Sequence, residues 1–533
     1  MRGSSVVGMF RGNVADHSDK PMFRFRGTTV TWKQHHQRAC RVANALRADG
    51  VGTGDRVAFL DRNGLEYFEV LFGGALSGAV NVAVNWRLAP AEMAAVIDDS
   101  RAQVLVVHPE FAPCLAAMES GLPSVTRVVV LGEAKVDGDL GGASDLARRV
   151  GYEDWLADQP ATDPGHEGGP DEVSMQLYTS GTTGLPKGVM LANRNIGFML
   201  EQAAGDAFEI GEDTVSLVAM PLFHIGGSGW ALSGMSRGGT SVILRDMDPV
   251  ELLGLVAVEG ITHAFLVPAV LMLLLATPSI AQSDLSSLDT IFYGASPIAE
   301  DVLVRCLGAF GCRFAQVYGM TETTGAIVLL SHDDHDPQGP RRHLLRAAGK
   351  PITGVELRIV DPDTGDDVET GAVGEIYTRS GFNMVGYWDK PGETARAIVD
   401  DGWLRTGDAG YIDEDGYLYL HDRIKDMVVS GGENIYPAEV ENVLLAIPGV
   451  ADAAVIGIPD DKWGETVKAV VVPAPDAQLD EGSIIALCRE RLAHYKCPTS
   501  VDFVAFLPRN PSGKVLKREL REPYWRLRER RIH

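Results

Sequence analysis

Cysteine is scarce in this chain. Its 533 residues include six, Cys40, Cys114, Cys306, Cys312, Cys488 and Cys497, and no two form a CxxC pair. That excludes a disulfide framework and a cysteine-based zinc site, and the thiols read as reduced and structural in a cytosolic protein. Positive charge is also short: 48 Lys and Arg face 72 Asp and Glu, for a formal net charge of −24. An acidic surface argues against nucleic acid as a partner. Any anionic substrate must then be met by local dipoles and a few placed cations. Long apolar runs are missing too. The best candidate, Ala264–Ala276, is shorter than a membrane span. The region reads instead as a buried strand, Thr262–Val267, followed by a helix that Pro268 opens. No basic region followed by an apolar run opens the sequence, so no signal peptide and a cytoplasmic location are expected. There is no internal repeat. The length exceeds what one core supports, so two or more domains are expected.

What is present is alternation. Residues 1–50 begin with a short extended start. Phe23–Trp32 then reads as a hairpin turning at Gly27, and Gln34–Ala48 as a helix. Arg56–Leu60, Ala79–Val84, Val104–Val107 and Val128–Leu131 read as strands, with helices at Tyr67–Ser77 and Pro90–Asp98, which implies a largely parallel sheet covered by helices. Residues 133–172 read as a surface connection with a short helix near Tyr152–Ala157. Alternation resumes to about residue 330, and His332–Arg346 reads as a polar loop. Short strands at Val355–Val360, Gly374–Thr378, Trp403–Arg405, Ala409–Ile412 and Tyr417–Leu420 predict a small β-rich subdomain over 349–422. Beyond it, a helix at Pro437–Ala446, strands at Val450–Gly457 and Thr466–Val472, a helix at Ser483–Leu492 and a strand at Val501–Phe506 suffice for a separate α+β domain. The basic tail from Lys514 reads as a solvated terminal helix. The fold class expected is therefore α/β, a large N-terminal region followed by a small α+β C-terminal domain.

One stretch carries chemistry openly. In Thr179-Ser180-Gly181-Thr182-Thr183-Gly184-Leu185-Pro186-Lys187-Gly188, glycines allow tight turns that bring N–H groups to an oxyanion. The hydroxyls donate further hydrogen bonds, and Lys187 supplies a charge. It sits after a strand, Val173–Tyr178, and before a helix starting near Asn193. It is not a Walker A loop, which would need Gly at 186 and Ser or Thr at 188. Gln316–Glu322 offers an aromatic face at Tyr318, Gly319, the hydroxyl of Thr321 and a carboxylate, Glu322, suited to Mg²⁺ with substrate phosphates. Asp408 lies on a turn and suits a ribose diol. Arg423 adds a cation, and Lys514 follows a tight turn.

In this order and spacing the motifs resemble the adenylate-forming superfamily of acyl-CoA synthetases, adenylation domains and firefly-type luciferases, most of all a fatty-acyl or aryl CoA ligase. They are TSGTTGLPKG (179–188), PLFHIGG (221–227), YGASP (293–297), QVYGMTE (316–322), GKP (349–351), GEIYTR (374–379), GYW (386–388), WLRTGD (403–408), DRIKD (422–426), GGENIYPAEVE (431–441) and NPSGKVLKREL (510–520). The resemblance implies a carboxylate attacking the α-phosphorus of ATP to give an acyl adenylate and pyrophosphate, then displacement of AMP by the thiol of CoA. It implies an N-terminal AMP-binding domain over 1–422 and a mobile C-terminal domain over 423–533 that turns on a hinge near Lys425. The 179–187 loop would hold the leaving phosphates, with Lys187 as loop support and an outer phosphate contact. Glu322 would bind Mg²⁺, Thr321 would touch the α-phosphate, and Lys514 would bridge the carboxylate and α-phosphate oxygens. Asp408 and Arg423 would hold the ribose. Tyr318 and Gly294-Ala295-Ser296 would flank adenine. His224 would line the junction of acyl pocket and thiol tunnel. The pocket would involve Gly226, Gly227, Trp230, Gly319 and Met320, with Gly431 and Gly432 near the pantetheine. Trp463 is expected to be structural. Implied partners are ATP, CoA and an apolar carboxylic acid, fatty or aromatic; a homodimer is compatible.

Two rivals are weighed. Gly234-Met235-Ser236-Arg237-Gly238 matches the nucleophile elbow of a serine hydrolase, with Ser236 as nucleophile. The elbow needs a strand before it and a helix after it, whereas a strand is expected after it at Gly239–Leu244. The closer rival is an enzyme that loads the phosphopantetheine of a carrier protein in trans. No carrier-domain sequence follows Lys514, which favours free CoA.

Overall fold

The structure is a computed structural model that describes residues 5–111, 122–132, 149–179, 186–203, 205, 208–423, 426–430, 433–460, 462–475, 477–509 and 515–526. Ser180, Gly181, Thr182, Thr183, Gly184, Lys425, Gly431, Gly432 and Lys514 lie outside the described residues, as does the side chain of Arg423. The fold is α/β, with a large N-terminal domain and a smaller C-terminal one.

The β segments of the first 350 residues form two sheets. One runs in the order Gly386–Tyr387, Lys187–Ala192, Val173–Thr179, Val80–Ala83, Arg56–Leu60, Val104–Val107, Arg127–Val130 and Arg149–Gly151. The other runs Lys350–Pro351, Gly325–Leu330, Arg313–Met320, Thr290–Gly294, His263–Leu266, Val215–Val218 and Thr240–Ile243, ending on the hairpin Pro21–Phe25 and Thr28–Thr31. Their central strands are parallel and buried on both faces, which is why VNVA, VLVV and HAFL show no alternation. Between the sheets lies the largest core, where helices Trp32–Ala48 and Leu65–Ser77 pack together. A capping box of Thr31 and Gln34 starts the first of these helices.

Each sheet borrows an edge from far away in the chain. Phe23 pairs with Ser241, and Gly386 and Tyr387 pair with Met190 and Val189. Strands Glu356–Val360, Gly374–Arg379, Leu404–Ile412 and Leu418–Arg423 form a four-stranded antiparallel sheet. The C-terminal sheet is centred on Val450–Asp460 and Gly464–Pro473, with Ser500–Phe503 added in parallel.

Several expectations change. The extended start is instead a helix, Val6–His17, capped by Ser5. Two glycines weaken its propensity, but burial decides: Phe10 stacks on Phe72 at 4.1 Å. The segments expected at 403–405 and 409–412 are one strand, Leu404–Ile412. The 332–346 stretch holds two short 3₁₀ turns that bury Leu344 and Leu345. The terminal helix Lys517–Trp525 is docked rather than solvated. Lys517 pairs with Glu441 at 2.9 Å, Arg521 pairs with Asp426, and the Trp525 indole donates to the Gly457 carbonyl at 3.1 Å. Trp463 is exposed, with Lys462 over its ring, so it is no core tryptophan.

Candidate active site

The stretch that was expected to run from strand through loop to helix is a hairpin. Val173–Thr179 pairs antiparallel with Lys187–Ala192, with Thr179 opposite Lys187, and the helix Asn193–Ala203 comes only after the second strand. The residues that join the two strands, 180–185, lie outside the described residues. The stem of the hairpin is held by the segment that follows Val385. Val385 N–H donates to Met190, Trp388 N–H to Gly188, and Lys187 Nζ meets Glu393 at 2.6 Å while lying 5.1 Å from the Tyr387 ring centre. Lys187 beside it holds the Glu393 carboxyl below the usual range. One pair along the stem, where Tyr178 lies opposite Gly188, Tyr178 donates to Asp99 at 2.7 Å and Lys390 reaches the same carboxylate at 3.1 Å.

Glu322 stands beside the hairpin. It is buried, and its Oε1 accepts from Tyr387 at 3.0 Å and from Thr179 at 3.4 Å. Thr321, Glu322 and Thr323 form a 3₁₀ turn closing the strand Arg313–Met320. Two strand positions earlier, Tyr318 donates to Asp408 Oδ2 at 2.9 Å. Asp408 in turn lies opposite Arg423 in the four-stranded sheet. Residues 90 positions apart in the chain thus share one hydrogen bond. Tyr387, Glu393 and Asp99 were not singled out from the sequence. Tyr387 lay inside the GYW motif and could have been found there; Asp99 carries no local signal.

A mostly apolar cavity of about 120 Å³ opens between these strands and the helix Ile225–Met235. Gly226, Trp230, Ala295 and Gly319, named from the sequence, line it; His224, Gly227 and Met320 are not on its wall. The glycines act differently from one another. A β-carbon on Gly226 would lie 2.9 Å from the Phe265 ring, so this glycine admits that ring to the wall. One on Gly227 would lie 2.1 Å from the Pro221 carbonyl oxygen, so Gly227 lets a helix meet backbone and adds no pocket space. Ala295 and Thr324, both on the wall, hold positive φ of 66° and 53°. Strained non-glycine residues cluster where ligands bind. The Trp230 indole is spoken for by the Leu217 carbonyl at 2.9 Å.

His224 is the N-cap of helix Ile225–Met235, and its Nε2 is buried without a hydrogen-bond partner among the described residues. Burial, with a smaller contribution from the Arg87 charge, pushes the imidazole down to about 4, so it is neutral at pH 7. Ser236 caps the far end of the same helix, with a strand after it. That is the reverse of a nucleophile elbow, and the serine-hydrolase reading fails on it.

The pattern of AMP-binding enzymes matches residues 10–388, and that of the AMP-binding enzyme C-terminal domain matches residues 439–514. This chain belongs to the AMP-binding enzyme family. It is thereby one of the adenylate-forming enzymes that its motifs resemble. It is 41% identical over 511 residues to the fatty acid–[acyl-carrier-protein] ligase ScoC of Streptomyces coeruleorubidus, covering 95% of this chain and 93% of that one. It is 39% identical over 505 residues to a feruloyl-CoA synthase of Amycolatopsis sp, covering 94% and 95%. Its fold overlays the anthranilate CoA ligase AuaEII in complex with anthranoyl-AMP with a TM-score of 0.87 and 27% identity, covering 98% of this chain and 97% of that one. No helix among the described residues is long and apolar enough to cross a membrane.

Proposed function

We propose that the chain is an AMP-forming acyl-CoA synthetase: it activates a carboxylic acid as an acyl adenylate with release of pyrophosphate, then passes the acyl group to CoA. The observation that carries this is that one stretch, Arg313–Thr323, supplies Glu322, bonded to Thr179 and Tyr387, and Tyr318, bonded to Asp408, while its Val317 and Gly319 line an apolar cavity. The first group suits a metal-bound polyphosphate, the second a nucleoside, and the cavity an acyl group. The family membership and the named CoA ligases among the relatives support the same reading.

The residues fit a magnesium ion. Glu322 is buried, and its Oε1 is fixed by two donors while Oε2 takes none among the described residues, so one carboxylate oxygen is left for a cation. Magnesium prefers such sites, one or two carboxylates completed by phosphates and water. When bound it would offset phosphate charge. The chain's own groups do the rest. Thr179 and the hydroxyl-rich turn hold the leaving phosphates, Asp408 and Arg423 the ribose, and Tyr318 the adenine. Lys514 neutralises the repulsion between carboxylate and α-phosphate oxygens. The C-terminal domain, from about residue 423, turns near Lys425 to bring Gly431 and Gly432 toward the pantetheine. Neutral His224, which precedes the wall residue Ile225, is assigned to the junction of acyl pocket and thiol tunnel.

The test is acid-dependent ATP–pyrophosphate exchange across aliphatic and aromatic acids, followed by AMP release on adding CoA. Exchange without CoA-dependent thioester, but with transfer to a phosphopantetheinylated carrier protein, would move the reading to the carrier-loading enzyme, as ScoC is named. No exchange with any acid would overturn it.

A further inference from the structure

We propose that the distal wall of the acyl cavity recognises a neutral hydrogen-bonding group, a hydroxyl or carbonyl, carried by an otherwise apolar acid, and that Ser233 with Gln202 makes the recognition. The proposal rests on the acyl-activating reading above and names its substrate class.

The helix Ile225–Met235 gives the cavity its long side. Gly226, Gly229, Trp230 and Ser233 share one stripe of it, at helical spacing. The helix starts at Ile225, whose side chain lies close to Gly325. The adenylate end of the cavity is marked by Gly319 and Ala295, which adjoin Tyr318 and Gly294 in sequence. At about 1.5 Å per residue, Ser233 lies roughly 10 Å along the helix from Gly226. That puts it about one ring and a short linker deep. The packed helix Asn193–Ala203 brings Gln202 to the same wall.

Ser233 is 8% exposed and lines the cavity, yet its hydroxyl makes no hydrogen bond among the described residues. Neighbouring polar groups behave otherwise. Ser228 bonds back to the His224 carbonyl at 3.1 Å, Thr324 donates to Phe382 at 2.6 Å, and Trp230 is satisfied by Leu217. Gln202 likewise spends no side-chain amide group on a described residue. A hydroxyl that reaches into an otherwise apolar cavity without a partner among the described residues is free to bond a polar group that arrives there.

The remaining wall limits what that partner is. Phe208, Phe265, Phe292 and Phe382 supply aromatic surface, and among the described residues no Asp, Glu, Lys, Arg or His lines it. A second carboxylate or an amine would be desolvated without a counter-charge. The volume of about 120 Å³ is near the roughly 150 Å³ of a cavity that takes benzene. A ring bearing a hydroxyl or carbonyl at its far edge meets all three constraints.

The experiment compares acids that differ by one polar group: 3-phenylpropanoate with 3-(4-hydroxyphenyl)propanoate, and cyclohexanecarboxylate with 4-oxocyclohexanecarboxylate. Pyrophosphate exchange gives kcat/KM for each. In the wild-type protein the polar member should lead in at least one pair by about tenfold, the size of one hydrogen bond to a group that is otherwise unpaired. Ser233→Ala and Gln202→Leu should each lower that ratio at least threefold, and the double variant should bring it close to one. Equal or better use of the unsubstituted acid in both pairs by the wild type overturns the proposal while leaving acid activation standing. A ratio unmoved by Ser233→Ala and Gln202→Leu also overturns it. Absence of exchange with every acid would instead remove the acyl-activating reading, and this proposal with it. Should either variant fail to fold, the wild-type ratios decide alone.

Discussion

Tyr318→Phe removes one oxygen atom and keeps the ring. The lost hydroxyl donates to Asp408 Oδ2 at 2.9 Å from a residue that is 8% exposed. Hydrogen bonds to charged groups contribute about 1.5–3 kcal/mol. Asp408 is half-buried, so water replaces part of what is lost. That sets the effect at the lower end, about 1.5 kcal/mol, or roughly tenfold in a binding constant. The carboxylate would grip the ribose equally before and during adenylation. The loss should therefore fall on KM for ATP, which rises about tenfold, with kcat within about twofold. The assay is acid-dependent pyrophosphate exchange with ATP varied, beside a urea unfolding curve. Asp408→Asn in the Tyr318→Phe background should cost less than Asp408→Asn alone, because the two residues share one interaction. An unchanged KM for ATP, or a loss confined to kcat, would refute the ribose assignment.

Lys187→Met and Glu393→Gln should each lower stability by about 1–2 kcal/mol, between the exposed and buried limits for ion pairs. The double variant should be little worse than either single one, and additive losses in urea titration would show that the pair is not what ties the hairpin stem. His35 is fully buried among Phe10, Phe23 and Phe72, and burial, only partly offset by the Phe68 backbone, pushes it down to about 3. Because its folded value lies below the unfolded one of about 6.5, its contribution is intact above pH 6.5 and is lost as pH falls toward 3. Between pH 7.5 and 4.5 that amounts to about 2–3 kcal/mol. His35→Leu should flatten this acid limb in urea midpoints, and an unchanged slope would contradict the burial argument. Lys514→Ala should abolish pyrophosphate exchange while sparing thioester formation from supplied acyl adenylate far more; full retention of exchange would strip Lys514 of its role.

Much of the fold was legible because local rules and tertiary structure agree in these segments. The runs RVAFL and VLVV are short, β-branched and bounded by turn residues, and they are strands. Pro268 opens its helix as proline at a first turn should. The helix Val6–His17 was hidden because its glycines argue against it and only its buried face holds it. The four strands from Glu356 to Arg423 were legible except where one strand had been divided in two.

By itself the sequence determined the chemistry on offer: a hydroxyl- and glycine-rich turn that is not Walker-type, a carboxylate in QVYGMTE, a second in RTGD and a late lysine, in an order that assigns the chain to a family. These signals are contiguous, and a few residues suffice to state each one. What tertiary structure decided is which groups meet. Tyr387 reaches Glu322, Tyr318 reaches Asp408, and Glu393 occupies Lys187, over separations of 65, 90 and 206 residues. The structure also turned the strand–loop–helix reading into a hairpin whose stem is locked from residues 385–393. It showed that Gly227 fits backbone against backbone, whereas Gly226 admits an aromatic ring. The physical reason is common to all of these. Residue type and spacing fix what a side chain can donate, accept or bury, but sheet order fixes its neighbours. That order depended on two strands, Pro21–Phe25 and Gly386–Tyr387, whose distant partners, Thr240–Ile243 and Lys187–Ala192, no local pattern specifies.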